Sequence, residues 1–471
     1  MAPFPSIKTT RFFLLFAFLA AAFLLSGCAS VPNMDSTFRY RAQAQPVPTI
    51  ISDGRRFTRV EVRSVMEKLK RKDLSAENLA RHMALEQAIC GCPLVAGNKV
   101  TLLIDRPAAY RAMFQAIRGA KNNINIEIFT LLADKAGCGL ARLLMQKAAD
   151  GVCVNLIYDS FGSICTPQSF FDRLRQSGVH VFAFNPITPL GVLPFRGRRS
   201  PVHRDHRKLV IVDGSVAFVG SANIAGTYAR TAGPIIGTEG KKLPWLDTEV
   251  QIEGPAVAEF QKLFLKTWLV ERGQQATKAN YFPVLQPQGN ELIRAIANTW
   301  GGKNRDDYFA FLAAIRSAQD FIDITSAYFV PDEQLVRALT NASRRGVAVT
   351  IVLPHGSDSR LALYGGRNFY MQLLDSGVKL YEYRGAIVHS KTAVIDGVWS
   401  TVGSMNLDLW SILRNNELNA VIVSPRFAKA MEALFRNELD NSEEITLQGW
   451  ERRSPMERLL ELLTNPLVYW L

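Results

Sequence analysis

The stretch HRDHRKLVIVDGSVAFVGSAN, residues 203–223, decides the fold because it joins a buried hairpin to a cluster of polar side chains. Side chains two residues apart on a strand point to the same face, so His206 and Lys208 are expected to project together. The apolar run that follows predicts a buried strand, and Asp213 with the glycine after it predicts a tight hairpin. The returning strand brings Asn223 back beside the first. A base, a cation and an amide are therefore predicted to meet at one strand end.

The same pattern occurs a second time, as HSKTAVIDGVWSTVGSMN at residues 389–406. Every spacing is kept without an insertion, which indicates a duplication and not a chance match. Other segments repeat as well, such as AIRGAKNNINIEIF and AIRSAQDFIDITSAYF. The motif positions that complete the two sets are Ser221, His389, Lys391, Asp396, Ser404 and Asn406.

Each repeat alternates helices with strands before the motif hairpin, which predicts a layered α/β domain with largely buried strands. The chain has 471 residues, more than one ordinary core holds. We therefore expect an α/β fold of two tandem domains, each a mostly buried mixed sheet flanked by helices, with a pseudo-two-fold axis and the site at their interface. The predicted segments are a signal peptide (1–27), an N-terminal extension (28–98), a first repeat (99–275), a connector (276–305), a second repeat (306–440) and a tail (441–471).

Three further segments carry predictions about surfaces. Leucines at helical spacing in residues 455–471 predict a helix packed on the core, with a membrane-contacting helix as the alternative. Two loops beside the first motif, residues 185–200 and 224–245, combine glycine and proline with basic residues. Because both loops flank the motif directly, they are expected to line the mouth of the site.

The net charge of +13 favours anionic partners, either lipid headgroups or nucleic acid. The N-terminus narrows this choice, because Lys8 and Arg11 precede a short apolar run that ends in LSGC. LSGC resembles a bacterial lipobox, which implies that Cys28 is lipidated and becomes the N-terminus; the alternative is an uncleaved signal anchor. Ala29 after the cysteine resembles the sorting signal for the outer membrane. We therefore expect a bacterial membrane lipoprotein facing the periplasm, with the outer membrane favoured over the inner.

The two imidazoles, two ammonium groups and two amides converge only if the repeats face each other. Such a set suits in-line displacement at a phosphodiester, in which one histidine attacks phosphorus and the other protonates the leaving oxygen. Lys208 and Lys391 would neutralise the non-bridging oxygens without a metal. Asn223 and Asn406 would donate hydrogen bonds to them as charge builds.

Each histidine also needs a partner that fixes its tautomer. Downstream of each Gly-Ser-x-Asn lies an acid at the start of a strand, Asp247 in LDTEVQI and Glu417 in NELNAVI. These acids align with each other and are predicted to orient His206 and His389. Glu417 is expected to support the charged form of His389.

The remaining polar residues receive structural predictions. A hairpin Asp-Gly explains Asp213 and Asp396 without chemistry, so they stay among the catalytic candidates only as motif members that hold the site. The five cysteines after residue 28 are odd in number, show no C-x-x-C spacing and are taken as structural, so neither a metal nor another cofactor is expected. Histidines without a counterpart in the other repeat are predicted to be structural, with His203 near the pocket rim: His82, His180, His203 and His355.

His-x-Lys, four residues, Asp, six residues and Gly-Ser-x-Asn, present twice, resembles the phospholipase D superfamily over about residues 99–440. Stretches such as LDTEVQIEGPAV and YFVPDEQLVRAL resemble bacterial cardiolipin synthases within it. The resemblance implies a phosphatidyltransferase that forms a phosphatidyl-histidine and passes the phosphatidyl group to phosphatidylglycerol. It also implies His206 as the nucleophile and His389 as the acid. Arg204 and Arg207 are compatible with this assignment, because nearby positive charge disfavours an imidazolium.

The partners expected on this basis are anionic or zwitterionic phospholipids such as phosphatidylglycerol, and a membrane surface. No nucleic acid is expected, and the protein is expected to function as a monomer. Three alternatives stay open: a hydrolytic phospholipase D, a phosphodiesterase acting on nucleic acid, and a lipid-binding scaffold with an inactive site. The motif residues are the same in the first two cases, so the motifs do not distinguish them.

Overall fold

The computed structural model describes residue 31 and residues 47–52, 54–72, 74–186, 202–226, 243–272, 279–299 and 305–466. The predicted signal peptide and Cys28 lie outside the described residues. The central parts of the two loops beside the first motif, with their basic residues, also lie outside them.

The N-terminal extension begins with a short hairpin, β1 (Ile50–Ser52) and β2 (Arg55–Arg56). Two helices follow, α1 (Arg59–Leu69) and α2 (Ala76–Cys90). A capping box at Thr58 starts α1, because its hydroxyl accepts from the third backbone N–H of the helix. The buried faces of both helices join the core of the second repeat. The extension is therefore part of the packed molecule.

The first repeat builds one mixed sheet. Its elements are β3 (Leu94–Leu103), α3 (Arg106–Gly119), β4 (Asn123–Ile128), α4 (Lys135–Ala149), β5 (Cys153–Asp159), α5 (Gln168–Gln176), β6 (His180–Phe184), β7 (Arg204–Asp205), β8 (Lys208–Val212), β9 (Val216–Gly220), β10 (Trp245–Leu246), β11 (Glu249–Glu253) and α6 (Val257–Arg272). The strands pair in the order β3–β11–β9–β8–β4–β5–β6. The β4–β5–β6 pairs are parallel and the other pairs are antiparallel.

The second repeat has the same strand order. Its elements are β12 (Glu291–Asn298), α7 (Asp306–Ser317), β13 (Phe321–Ser326), β14 (Phe329–Val330), α8 (Glu333–Arg344), β15 (Ala348–Pro354), α9 (Arg360–Arg367), α10 (Tyr370–Asp375), β16 (Lys379–Tyr383), β17 (Ile387–Val388), β18 (Lys391–Ile395), β19 (Trp399–Gly403), β20 (Leu407–Asp408), α11 (Leu409–Leu413), β21 (Asn415–Val423), α12 (Pro425–Asp440) and β22 (Ser442–Ile445). The strands pair in the order β12–β21–β19–β18–β13–β15–β16–β22. The tail adds α13 (Leu447–Glu451) and α14 (Pro455–Thr464).

The two sheets join through their matching first strands, since β3 pairs antiparallel with β12. One apolar cluster fills the space between the repeats and takes residues from both, among them Leu209, Val250, Val402 and Leu418. Both motif strands, β8 and β18, are buried along their whole length. These observations confirm the predicted α/β class, with two like domains packed face to face.

The tail forms a helix, but three of its leucines do not pack on the core as predicted. Leu459, Leu462 and Leu463 of α14 are exposed, and the buried residue of this helix is Glu461. No helix in the described part of the chain is long and apolar enough to cross a membrane.

Candidate active site

Short strands at the repeat interface bring the two motifs together. β7, just before His206, pairs in parallel with the start of β21 in the second repeat. β17, just before His389, pairs in parallel with β10 in the first repeat. The backbone N–H of His206 donates to the Asn416 carbonyl at 3.0 Å, and that of His389 donates to the Leu246 carbonyl at 2.8 Å. Each motif therefore enters beside the carboxylate-bearing strand of the other repeat.

This pairing crosses the histidine–carboxylate contacts between the repeats. His206 Nδ1 lies 3.0 Å from both carboxylate oxygens of Glu417, and His389 Nδ1 lies 2.7 Å from Asp247 Oδ1. The expectation that Glu417 supports His389 is therefore wrong, because strand pairing places each acid against the opposite histidine. All four residues are buried. A carboxylate at Nδ1 holds the proton there and leaves Nε2 as the nitrogen for chemistry.

The motif lysines are held by their own motifs. Lys208 Nζ donates to the His206 carbonyl at 2.5 Å, and Lys391 Nζ donates to the His389 carbonyl at 2.5 Å. Burial and the second ammonium lower the pKa of Lys208 to about 7. Burial lowers the pKa of Lys391 to about 8, against the attraction of nearby carboxylates. Two buried ammonium groups that repel each other form a site that an anion would stabilise.

The surroundings of His206 and His389 disfavour the protonated form of both imidazoles. Burial, the main cause, lowers the pKa of His206 to about 4 and that of His389 to about 3. The neighbouring lysines add to this effect, while Glu417 and Asp247 oppose it. Both imidazoles are therefore neutral at neutral pH.

Asp247 is balanced by a buried guanidinium that the sequence did not reveal. Arg106 Nε donates to Asp247 Oδ2 at 2.5 Å, and the hydroxyl of Ser221 donates to Asp247 Oδ1 at 2.8 Å. Burial raises the pKa of Asp247, but Arg106 and His389 outweigh it and hold the pKa below its usual range. Arg106 also lies over the ring of Trp245 at 5.3 Å, and that ring meets His389 edge-on. Arg106 thus contacts both Asp247 and Trp245, two residues that lie against His389.

Glu417 is held differently. Within the described part of the chain, Ser404 and Ser411 donate hydroxyls to its two oxygens at 2.5 and 2.7 Å, and the Asn415 amide donates at 3.3 Å. Burial opposes its ionisation, but His206 and Lys208 outweigh burial and lower its pKa. The carboxylate opposite His206 is therefore held by neutral donors, whereas the carboxylate opposite His389 shares its charge with Arg106.

The glycine of each Gly-Ser-x-Asn lies against the neighbouring strand, and the serine contacts the orienting carboxylate. A Cβ on Gly403 would lie 1.8 Å from Asn419 Oδ1, and one on Gly220 would lie 2.3 Å from the Thr248 carbonyl. Only glycine allows the neighbouring strand to come this near. The serine that follows each glycine then donates its hydroxyl to the acid, Ser221 to Asp247 and Ser404 to Glu417.

The motif asparagines lie at the same strand ends. The side-chain oxygen of Asn223 accepts from the Thr130 backbone N–H at 3.2 Å, which leaves its amide nitrogen to donate. The backbone N–H of Asn406 donates to the Ser411 hydroxyl at 3.3 Å, and Asn406 is buried. The contact of Asn223 is therefore compatible with the predicted donor, and the donor role of Asn406 stays a prediction.

The motif aspartates lie at the hairpin turns, where the Asp-Gly pattern predicts them. Asp213 and Asp396 have φ values of 53° and 52° at the hairpin turns. The carboxylate of Asp213 accepts from the backbone N–H groups of residues 121–123, and that of Asp396 from residues 319–321. Each carboxylate thus ties its hairpin to the start of the adjacent strand, which agrees with their predicted role as motif members that hold the site.

The arginines that flank His206 also have other partners. Arg204 Nη1 lies 3.6 Å from Asp159, and Arg207 Nη1 lies 3.2 Å from Glu127. The causes that lower the pKa of His206 are burial and the two lysines, opposed by Glu417. The flanking arginines therefore give no support to the choice of nucleophile.

The unmatched histidines have structural partners where these are described. His203 is buried, and its Nε2 lies 3.0 Å from the side-chain oxygen of Asn416, next to Glu417. His82 and His355 pair with Glu86 and Glu382. Among the described residues, no group of three or more His, Cys, Asp or Glu side chains could hold a metal ion.

Sequence reasoning missed Arg106, Trp245, Ser411 and Asn415. Trp245 and Asn415 occupy the same position in the two repeats, two residues before the orienting acid, so an alignment marks that position although the residue types differ. Arg106 and Ser411 have no matching residue type in the other repeat, and the duplication gives no signal for them.

Two histidine–lysine pairs, each histidine backed by a carboxylate from the other repeat, define a phospholipase D-type active site. The family model described as "Cardiolipin synthase, PLD-like domain" matches residues 113–231 and 311–439. Cardiolipin synthase A of Pseudomonas entomophila is 35% identical over 76% of this chain and 71% of its own length. The cardiolipin synthase of Halalkalibacterium halodurans is 31% identical over 82% of this chain and 75% of its own.

A solved structure supports the same fold. Phosphatidylserine synthase of Haemophilus influenzae matches with a TM-score of 0.58 at 14% identity, over 82% of this chain and 97% of that one. The chain belongs to the cardiolipin synthase family of phospholipase D-like enzymes, and it is a phosphatidyltransferase of that type.

Proposed function

We propose that the protein joins two phosphatidylglycerol molecules into cardiolipin and glycerol through a phosphatidyl-histidine intermediate. The observation that carries the proposal is the crossed pair of buried histidine–carboxylate contacts, His206 with Glu417 and His389 with Asp247. Each repeat supplies one imidazole and orients the other, so neither repeat is complete alone.

The reaction needs two displacements at phosphorus. In the first, Nε2 of one histidine bonds to phosphorus, the bond from phosphorus to the glycerol oxygen breaks, and the other histidine gives that oxygen its proton. In the second, the same second histidine takes a proton from the headgroup hydroxyl of another phosphatidylglycerol. That oxygen bonds to phosphorus and the phosphorus–nitrogen bond breaks. Lys208 and Lys391 stabilise the negative charge throughout.

Binding of the substrate allows one of the two imidazoles to be protonated. Before the substrate binds, both imidazoles are neutral, because burial and two ammonium groups lower their pKa values. A phosphodiester between Lys208 and Lys391 neutralises that positive charge, so one imidazole can take up a proton. The lysines are thus the groups that couple substrate binding to formation of the acid.

The family resemblance and the charge distribution give opposite answers on which histidine attacks. The resemblance implies attack by His206. The charge distribution favours His389 as the neutral group, because Arg106 already balances Asp247, whereas the described donors to Glu417 are neutral. Trapping the covalent intermediate identifies the nucleophile. Labelled donor lipid is added to the variants His206→Asn and His389→Asn, and the residue that carries the phosphatidyl adduct is determined. An adduct that survives only in His389→Asn assigns His206, and one that survives only in His206→Asn assigns His389.

The proposed function is tested with purified protein and labelled phosphatidylglycerol in vesicles. Cardiolipin and glycerol in equal amounts are the expected products. Phosphatidic acid as the main product would replace the transferase with the hydrolytic alternative, in which water is the acceptor. Labelled DNA and RNA in the same assay should stay intact, since no nucleic-acid substrate is proposed.

We further propose that the protein is a periplasm-facing lipoprotein, with the outer membrane favoured, and that a monomer is active. The LSGC sequence supports lipidation at Cys28, and both halves of the site lie in one chain. Intact mass of the membrane form should show acyl chains on Cys28, and Cys28→Ala should remain an uncleaved precursor without them. A wild-type protein whose N-terminus lies elsewhere would overturn this proposal.

A further inference from the structure

α14, the last helix in the described part of the chain, is amphipathic, but its apolar side turns outward and its polar side turns toward the protein. Its exposed side chains include Met456, Leu459, Leu462 and Leu463, with 63%, 47%, 66% and 61% of their surface accessible. They recur at spacings of three and four residues and form one stripe along the helix. The buried residue of the helix is Glu461. A helix that packs on a protein core normally turns its apolar stripe inward, so another environment must account for this one.

Polar contacts fix the orientation of α14. Glu461 accepts from the guanidinium of Arg453 at 2.7 Å, and its carbonyl accepts from the Asn368 amide at 3.1 Å. Glu457 caps the start of α14 and lies 3.6 Å from Arg367 at the end of α9. These contacts hold the polar side of α14 against the protein. The outward stripe is therefore a built feature of the fold.

The helix is also connected to the active site. α9 spans eight residues, a length of about 12 Å, and leads from Asp358 to the contacts with α14. Asp358 is one of the acids whose charge raises the pKa of Lys391. α9 therefore links the contacts of α14 to a segment whose charge acts on Lys391.

The geometry points to a phospholipid bilayer as the occupant of this stripe. We propose that α14 lies in the membrane interface, with its stripe among the outer parts of the acyl chains. Two exposed arginines flank the stripe, Arg452 and Arg458, and can meet anionic headgroups. The inference rests on the proposed function in one respect, that the substrate is a lipid.

The test compares two physical forms of one substrate. The triple variant Leu459→Gln, Leu462→Gln, Leu463→Gln changes exposed side chains, and its thermal unfolding should match wild type. On phosphatidylglycerol vesicles its initial rate should fall about tenfold or more, because interfacial binding scales with buried apolar area. On dispersed short-chain phosphatidylglycerol its rate should stay within about twofold of wild type, since no interface is needed there. A control variant, Val60→Gln with Val284→Gln, alters exposed apolar residues elsewhere and should behave as wild type in both assays.

A second measurement reports the helix directly and does not need catalysis. Tryptophan fluorescence of Met456→Trp should be quenched by vesicles with brominated acyl chains more strongly than that of wild type. Phosphatidylglycerol vesicles should give more quenching than phosphatidylcholine vesicles. If the enzyme makes no cardiolipin but this quenching appears, the proposed function fails and the docking surface stands.

Two results would overturn the docking proposal. One is equal activity of the triple variant and wild type on vesicles, together with no extra quenching of Met456→Trp. The other is a wild-type dimer without lipid that the triple variant converts to a monomer, because the stripe would then be an interface between copies.

Discussion

The two halves of the active site share a backbone plan but differ in charge. In one half, His389 faces Asp247, which Arg106 balances inside the protein. In the other, His206 faces Glu417, and neutral groups hold that carboxylate. The motifs alone are equal, with the same spacing and the same histidine–lysine geometry. The difference teaches that residues outside a duplicated motif can make its two copies unequal, which a two-step reaction with a separate nucleophile and acid requires.

Removing either histidine should have the largest effect. His206→Asn and His389→Asn should each lower the rate of cardiolipin formation about 10⁴-fold or more, since nucleophile and acid cannot replace one another. The measurement is product formation from labelled phosphatidylglycerol. His180→Asn changes a histidine at the start of β6 and serves as the control with near-normal activity. Substantial activity in either catalytic variant would show that the two halves do not depend on each other.

Losing one motif lysine should have the next largest effect. The pH dependence of the wild-type rate should report the charge of that lysine. Lys208→Met should lower kcat about 10²–10³-fold, the cost of removing one donor that stabilises transition-state charge. The pKa of Lys208 is about 7 because of burial and Lys391, so its ammonium is lost as pH rises. In wild type kcat/KM should therefore fall between about pH 7 and 9.

The matched variant for that pH profile is Lys208→Arg. Its guanidinium stays charged at all these pH values, although its shape makes the enzyme slower. The fall in kcat/KM should move to higher pH in Lys208→Arg. An unchanged profile would mean that another group sets the alkaline limb.

Arg106 and Ser411 test the charge difference between the halves directly. Arg106→Gln leaves Asp247 buried without its guanidinium and should lower the free energy of unfolding by about 3–5 kcal/mol. Ser411→Ala removes one hydroxyl from Glu417 and should cost about 1.5–3 kcal/mol. Denaturant unfolding at pH 7 measures both values.

The pH dependence gives the second measurement for this pair. Asp247 has a lowered pKa in the folded protein, so its contribution to stability is present above its unfolded pKa and lost as pH falls through the folded one. Without Arg106 that pKa rises, and acid should unfold Arg106→Gln at a higher pH than wild type. Arg106→Lys should restore part of the shift. Equal acid sensitivity of Arg106→Gln and Ser411→Ala would remove the proposed difference between the halves.

The sequence predicted the α/β class, the repeat and the residues that meet at the site, because periodicity and spacing are local signals. It did not predict the crossed pairing of His206 with Glu417. That pairing depends on β7, a two-residue strand whose partner in β21 lies 211 residues away, and the pairing of His389 with Asp247 depends on β10, whose partner lies 142 residues away. Such short strands leave no periodic pattern. Arg106 was missed for a related reason, since its partner Asp247 comes near only when β3 and β11 pair. Long-range pairing of short strands is what the sequence alone left undetermined.

The smallest effect on catalysis is expected for the motif aspartates, although they repeat as faithfully as the histidines. Asp213→Asn and Asp396→Asn each keep a side-chain oxygen but lose the charge that three backbone N–H groups share. Each should lower the free energy of unfolding by about 1–2 kcal/mol, the scale of a lost capping interaction. The folded fraction should keep kcat within about threefold of wild type, because neither carboxylate touches the reacting groups. Denaturant unfolding and kcat on short-chain phosphatidylglycerol separate the two effects. A loss of kcat comparable to that of Lys208→Met, with unchanged stability, would show that these aspartates take part in catalysis and would contradict a purely structural role at the hairpin turns.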